Sequence, residues 1–340
     1  MPAEWEPHAA TWIAWPHRRD DWPGKFAPIP WVYAEIVRHL HACERVRILV
    51  NDGSAERRCR QILKRAGVDL KQIDIFQIKT NRSWIRDFGP IFVLGPEKDL
   101  IVTAWRFSGW AKYSDWELDS RVAEQAAGAL GLHSLAPVLK GNRVVLEGGS
   151  IDVNGQGLLL TTEECLLSDV QVRNPGLLRA DVEGVFASHL AIRKTLWLGS
   201  GIAGDDTHGH VDDLARFVRP TTVVAALESN PHDPNFGPLQ DNWQRLQKMT
   251  DLSGGHLEVV ALPMPAPVIF AGQRLPASYV NFYIANDRVL VPTFNDPNDR
   301  QALGILGELF PNRKIVGIHS LDLVLGLGTI HCLTQQEPRV

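Results

Sequence analysis

Strand-like runs alternate with helix-like runs along the whole chain, and this alternation restricts the fold more than any single motif does. Residues 31–43 carry Val32, Ile36, Val37 and Leu40 at helical spacing, and 46–50 form an unbroken apolar strand. A second helix starts at the capping residue Ser54 and stops at Gly67, before a strand over 73–78. Helix-like stretches flanked by strands recur near 117–130, 180–190, 239–249 and 299–310. The strand candidates among them are 100–107, 150–153, 157–160, 195–198, 222–226, 257–261, 279–284, 289–291 and 314–318. No low-complexity linker interrupts the series. The Pro/Asn stretch 229–235 is short enough for a surface loop, so one α/β domain of repeated units over 1–340 is expected.

At 340 residues, 44% hydrophobic and 22% charged, the chain can bury a large core, and its net charge of −4 provides no broad basic field for nucleic acid. No apolar run approaches the ~20 residues of a membrane span. The start Met1-Pro2-Ala3-Glu4-Trp5 lacks the basic and apolar regions of a secretion signal. These features predict a soluble, cytoplasmic protein with no membrane partner. Cys43, Cys59, Cys165 and Cys332 are scattered, without a Cys-x-x-Cys pair, so free thiols are expected. Cys43 and Cys59 lie in helices and read as core. Cys165, after Thr161-Thr162-Glu163-Glu164, is open to either reading.

Four segments put chemistry-bearing side chains next to glycine. In Trp84-Ile85-Arg86-Asp87-Phe88-Gly89-Pro90, Asp87 follows a strand and precedes a stop, which suits a carboxylate facing a cleft or a salt bridge to Arg82 or Arg86. Glu147 ends an apolar strand before Gly148-Gly149, where backbone and ligand can come close. The run Asp205-Asp206-Thr207-His208-Gly209-His210-Val211-Asp212-Asp213 is too dense in titratable groups for a core. If extended, it places His208, His210 and Asp212 on one face and Asp213 on the other. Finally, Gly326-Leu327-Gly328-Thr329-Ile330-His331-Cys332 brings a thiol behind a glycine-bearing turn.

Two chemistries compete for these residues. His208, His210 and Asp212 match part of a metallohydrolase signature, but Asp213 stands where its last histidine belongs. The alternative is His210 as a general acid/base working with the distant thiol of Cys332. Asp87 and Asp212 would suit a planar cation, since a guanidinium fork can donate bidentately to each carboxylate.

The four segments resemble the agmatine deiminase and bacterial peptidylarginine deiminase family of the guanidino-group-modifying superfamily. Leu275-Pro276-Ala277-Ser278-Tyr279 and Ile330-His331-Cys332-Leu333-Thr334-Gln335-Gln336 extend the likeness over nearly the whole chain. The resemblance implies a five-fold pseudosymmetric α/β propeller, the pentein fold, of ββαβ-type units. It implies Cys332 as nucleophile, His210 as general acid/base and Glu147 as a carboxylate that assists proton transfer and holds substrate. Asp87 and Asp212 would grip the guanidinium, and Trp84 would form the pocket wall. The implied reaction converts agmatine to N-carbamoylputrescine and ammonia without a metal or organic cofactor. The partner would be a small guanidino substrate, and a homo-oligomeric assembly stays open. Peptidylarginine deimination, a metallohydrolase and a non-catalytic guanidine-binding protein are the alternatives. Leu327, Thr329 and His208 stand where the family usually has Gly, Asn and Asn, and these departures bear on the substrate tail.

Overall fold

The computed structural model describes every residue from Met1 to Val340. It is a mixed α/β structure in which five sheets repeat one connectivity. In one unit, Ile91–Leu94 runs antiparallel to Leu100–Thr103, which pairs in parallel with His133–Leu135. Parallel neighbours need a crossover, and the helix Val122–Leu130 lies in it. The same order recurs in Asp152–Val153, Leu158–Thr162 and Lys194–Leu198, and again in Ala215–Arg219, Thr222–Leu227 and Glu258–Pro263. Tyr283–Ile284, Arg288–Thr293 and Lys314–His319 form a fourth example.

The remaining sheet joins both ends of the chain. His8–Ala14, Arg45–Val50 and Ile73–Gln77 pair in parallel, and Gln335–Pro338 adds the antiparallel strand beside His8–Ala14. The last strand therefore gives the first unit the antiparallel member that each other unit takes from its own preceding segment. This pairing anchors Cys332, three residues before the strand, against the N-terminus.

Helix Ile29–Leu40 forms because Ile29, Tyr33, Ile36, Val37 and Leu40 fall on one buried face. The helix Gly53–Arg65 differs from the sequence reading at its cap. Asp52, in extended backbone, accepts the Ala55 N–H at 2.7 Å, whereas Ser54 is already helical and accepts from Arg58 at 2.7 Å. Gly67 takes φ +77° just beyond the helix end, a conformation that suits a residue without Cβ. No helix is long and apolar enough to cross a membrane.

Three strands are shorter than their composition suggests. Leu100–Thr103 stops before Ala104, and Gly148–Ser150 is a 3-10 turn leading into Asp152–Val153. The third, expected over 279–284, is a strand only at Tyr283–Ile284. Its preceding backbone is diverted from a ladder to the C-terminal turn, where the Asn281 carbonyl accepts the His331 N–H at 3.1 Å.

Candidate active site

A cavity of about 660 Å³ is walled by Trp84, Trp110 and Leu327 and reaches Asp87, Gly328 and Cys332. The loop carrying the thiol packs tightly on Trp84. A Cβ on Gly326 or on Gly328 would lie 2.8 Å from the Trp84 ring, so both positions need glycine. Between them Leu327 takes φ +69°, a left-handed conformation unfavourable for a side chain of its size. This is the backbone reason a glycine is usual there.

Cys332 is 6% exposed, and the Asn281 amide donates to its Sγ at 3.1 Å. Asn281 is itself fixed, because its Oδ1 accepts from the Thr329 hydroxyl at 2.7 Å and from the His331 N–H at 3.0 Å. The thiol faces the Asp212 carboxylate at 3.7 Å. Burial, and then the charges of Asp212, Asp213 and Asp87, push the Cys332 thiol well above the ordinary thiol range. Without a cation in the cavity it is protonated at neutral pH.

Asp87 sits on the one-turn helix Ile85–Phe88 rather than directly at a strand end. Neither arginine beside it in sequence pairs with it. Arg86 turns to Glu4 at 3.1 Å and to the Gln336 side chain at 2.7 Å, and Arg82 donates to Asp21 at 2.9 Å. Asp87 instead accepts from the Trp110 indole at 2.9 Å and the Gly149 N–H at 3.1 Å. Burial raises its carboxyl to about 6, against the opposing pull of His210.

His210 lies between Asp87, 3.6 Å from its Nδ1, and Glu147, 3.8 Å from its Nε2. Burial opposes its charge, but Asp87, and then Cys165 and Glu147 beside it, hold its pKa well above the ordinary histidine value. Glu147 is completely buried, and Arg173 donates to its Oε1 at 3.2 Å. Although burial favours the neutral acid, Arg173 and His210 hold the Glu147 carboxyl down at about 2. A cationic His210 flanked by carboxylates can give a proton to a departing amine.

Asp87, His210 and Asp212 thus converge at Gly149, where a Cβ would meet all three within 3.1 Å, while Cys332 adjoins them through Asp212 at 3.7 Å and Glu147 through His210 at 3.8 Å. Behind them stands a polar framework that the sequence did not reveal. His331 bridges Asp212 at 2.7 Å and Glu4 at 2.9 Å through its two ring nitrogens. Glu4 also receives Arg216 at 2.8 Å, and Arg216 reaches Asp152 at 2.7 Å. Asp212 Oδ1 and Glu147 Oε2 are buried acceptors without a protein donor.

The histidine loop departs from the extended reading. His208 and Gly209 both have positive φ, and Val211–Asp213 is a 3-10 turn. His208 is thereby turned away to Ser168, 3.1 Å from its Nε2, and does not line the cavity. Both aspartates point inward, and Asp213 accepts from the Asn281 amide at 3.0 Å. His208, His210 and Asp212 therefore do not converge as metal ligands, because the turn breaks the two-residue alternation.

A model of the Porphyromonas-type peptidyl-arginine deiminase family matches residues 1–338. The chain belongs to this family. It is similar to the agmatine deiminase of Pseudomonas fluorescens, with 36% identity over 99% of this chain and 95% of that protein. The agmatine deiminase of Stutzerimonas stutzeri is 37% identical over the same shares of the two chains. The solved agmatine deiminase of Enterococcus faecalis superposes with a TM-score of 0.91 at 34% identity, covering 100% of this chain and 95% of that one.

Within the family frame, the three departures separate. Leu327 lines the cavity wall, Thr329 is buried behind the thiol, and His208 lies outside the cavity. Leu327 alone can touch a substrate tail directly.

Proposed function

We propose that this chain hydrolyses agmatine to N-carbamoylputrescine and ammonia through a covalent intermediate on Cys332. The observation that carries the reading is the placement of a buried thiol beside Asp87 and Asp212 at the end of a cavity, in a chain whose relatives are agmatine deiminases. Asp20, Asp21, Asp115 and Asp206 also line the cavity, where Arg18 and Arg82 pair with Asp21 and Asp115 and Lys112 pairs with Asp206, so Asp20 is the acid left to meet a second cation on the substrate.

The guanidinium lies between Asp87 and Asp212, with Asp212 Oδ1 accepting one of its N–H groups and Trp84 covering its face. Its positive charge offsets the carboxylates that keep Cys332 protonated, and the thiol proton is released to water. The thiolate attacks the guanidinium carbon, forming a C–S bond as the C=N electron pair moves to nitrogen. His210 transfers its proton to the departing nitrogen, the C–N bond breaks, and ammonia leaves an S-alkylthiouronium group. Neutral His210, steadied by Glu147, then takes a proton from water as the oxygen bonds to carbon. Cleavage of the C–S bond returns the thiolate, the hydroxyl proton passes to water, and the ureido product is left. Glu147 keeps its charge throughout, because Arg173 stays paired with it.

We also assign the five units to a propeller with five-fold pseudosymmetry. Their shared connectivity supports it, as does the closing of the first sheet by the last strand.

Ammonia release from agmatine, free arginine and a peptide with internal arginine tests the function. Agmatine should give the highest kcat/KM, and Cys332→Ala should be inactive. Preference for the peptide, or turnover by Cys332→Ala at the wild-type rate, would overturn the assignment.

A further inference from the structure

Cys165 forms no bond in the reaction above, yet it is the third member of a buried group. Glu147, Cys165 and His210 each present a ligand atom, and these atoms lie within 4.8 Å of one another. Glu147 Oε2 and both ring nitrogens of His210 have no hydrogen-bond partner, and both residues are at least 99% buried. Orphaned polar atoms this deep are rare and point to a ligand. Cys165 is 2% exposed and is held in place by its own turn. The Thr162 hydroxyl accepts the Cys165 N–H at 3.1 Å and donates to the Gly209 carbonyl at 2.6 Å, tying the thiol's helix to the histidine loop.

We propose that Glu147, Cys165 and His210 form an inhibitory site for a thiophilic divalent cation, with Zn²⁺ as the fitting case. One sulfur, one imidazole nitrogen and one carboxylate oxygen make a donor set typical of zinc, with a fourth position for water. Tetrahedral zinc sets its ligand atoms roughly 3.3–3.6 Å apart, and His210 Nε2 lies 3.8 Å from Glu147 Oε2. The three ligand atoms lie within 4.8 Å of one another, so binding draws them together by up to about 1.5 Å. The charges also balance. Arg173 beside Glu147 opposes a cation, but Glu147, Asp87 and a Cys165 thiolate together outweigh it. The cation would occupy both His210 and Glu147 and stop proton transfer, leaving Cys332 itself unmetallated.

The inhibitory readout rests on the roles proposed above for His210 and Glu147, whereas the binding readout does not. The full-length protein is titrated with Zn²⁺ alone by calorimetry, and ammonia release is measured in parallel. Wild type should bind one Zn²⁺ and lose activity with the same midpoint. Cys165→Ala, with its own metal-free turnover as the baseline, should lose at least the ~10–100-fold in Zn²⁺ affinity that even outer-shell substitutions cost. Cys332→Ala, which is inactive, should bind Zn²⁺ as wild type does. Unchanged Zn²⁺ affinity in Cys165→Ala would overturn the site, and so would loss of binding in Cys332→Ala alone. If agmatine is not the substrate, the calorimetric pattern still decides the metal site.

Discussion

Gly149 donates its backbone N–H to Asp87 Oδ1 at 3.1 Å, and a Cβ on Gly149 would lie 2.7 Å from that same oxygen. The second glycine of Glu147-Gly148-Gly149 is thus what lets Asp87 meet His210 and Asp212, which come from a different segment. The close approach read from sequence as backbone to ligand is in fact backbone to the proposed catalytic groups.

Gly149→Ala should therefore fold but fail. The new methyl would also sit 2.6 Å from His210 Nδ1, so the imidazole must shift. A misplacement near 1 Å costs about 10²-fold in rate. Steady-state ammonia release should show that fall mainly in kcat, with thermal unfolding still cooperative. A variant within a few-fold of wild type would show that the convergence is not tight.

Asp87 should set the acid limb of the pH profile. Its carboxyl is raised to about 6, so it is charged above that pH and neutral below it. Since kcat/KM reports free-enzyme groups, it should rise as pH increases through about 6. Asp87→Asn should lower kcat/KM and remove this limb. A pH profile of the variant that kept the same acid limb would assign it to another group.

The proposed reacting residues were legible because each lies within four residues of a glycine in a short chemistry-bearing segment. Their supports were not, because support comes from far along the chain. Glu4 and His331 are bonded although 327 residues apart, and neither reads as more than a terminal acid and a neighbour of the thiol. One signal was available. Arg216 interrupts the apolar run Ala215-Arg216-Phe217-Val218, and a charge inside such a strand needs a buried partner. It has two, Glu4 and Asp152. The repeated units were visible from periodicity, but the diversion of 279–282 out of its strand was not. That diversion is a tertiary effect, made by the C-terminal turn capturing Asn281, and apolar composition alone cannot report it.

Glu147→Ala should lose stability as well as activity. It leaves Arg173 buried with its charge unpaired, and removing one partner of a buried pair costs about 3–5 kcal/mol. In wild type the pair's contribution is full above the ordinary glutamate range and is lost as pH falls toward the Glu147 value of about 2. Urea unfolding at neutral pH should show the full difference between the proteins, and it should shrink on acidification. An equal difference at acid pH would place the effect elsewhere.

Leu327→Gly should separate backbone strain from specificity. The left-handed conformation at φ +69° costs a leucine about 1–2 kcal/mol, and glycine's extra unfolded-state entropy offsets about 0.5–1 kcal/mol of the relief. Stability should therefore change little or rise slightly. The cavity wall, in contrast, loses a whole side chain. Relative kcat/KM should shift toward bulkier guanidino compounds, measured as the ratio to agmatine. A marked drop in melting temperature with an unchanged ratio would show that Leu327 serves packing.

Thr329→Val tests how the thiol is held. The Thr329 hydroxyl donates to Asn281 Oδ1 at 2.7 Å, and the same amide group donates to the sulfur at 3.1 Å. Valine keeps the shape and removes the donor, leaving the amide free to rotate away from Cys332. A neutral hydrogen bond is worth about 1 kcal/mol net, so kcat should fall roughly 5-fold. KM should stay near wild type, because Thr329 does not line the cavity. Thr329→Asn, which restores the residue usual in the family, should recover kcat if donation to Asn281 is what matters. A change confined to KM would mean that the hydroxyl acts on the bound substrate instead of on the thiol's partner.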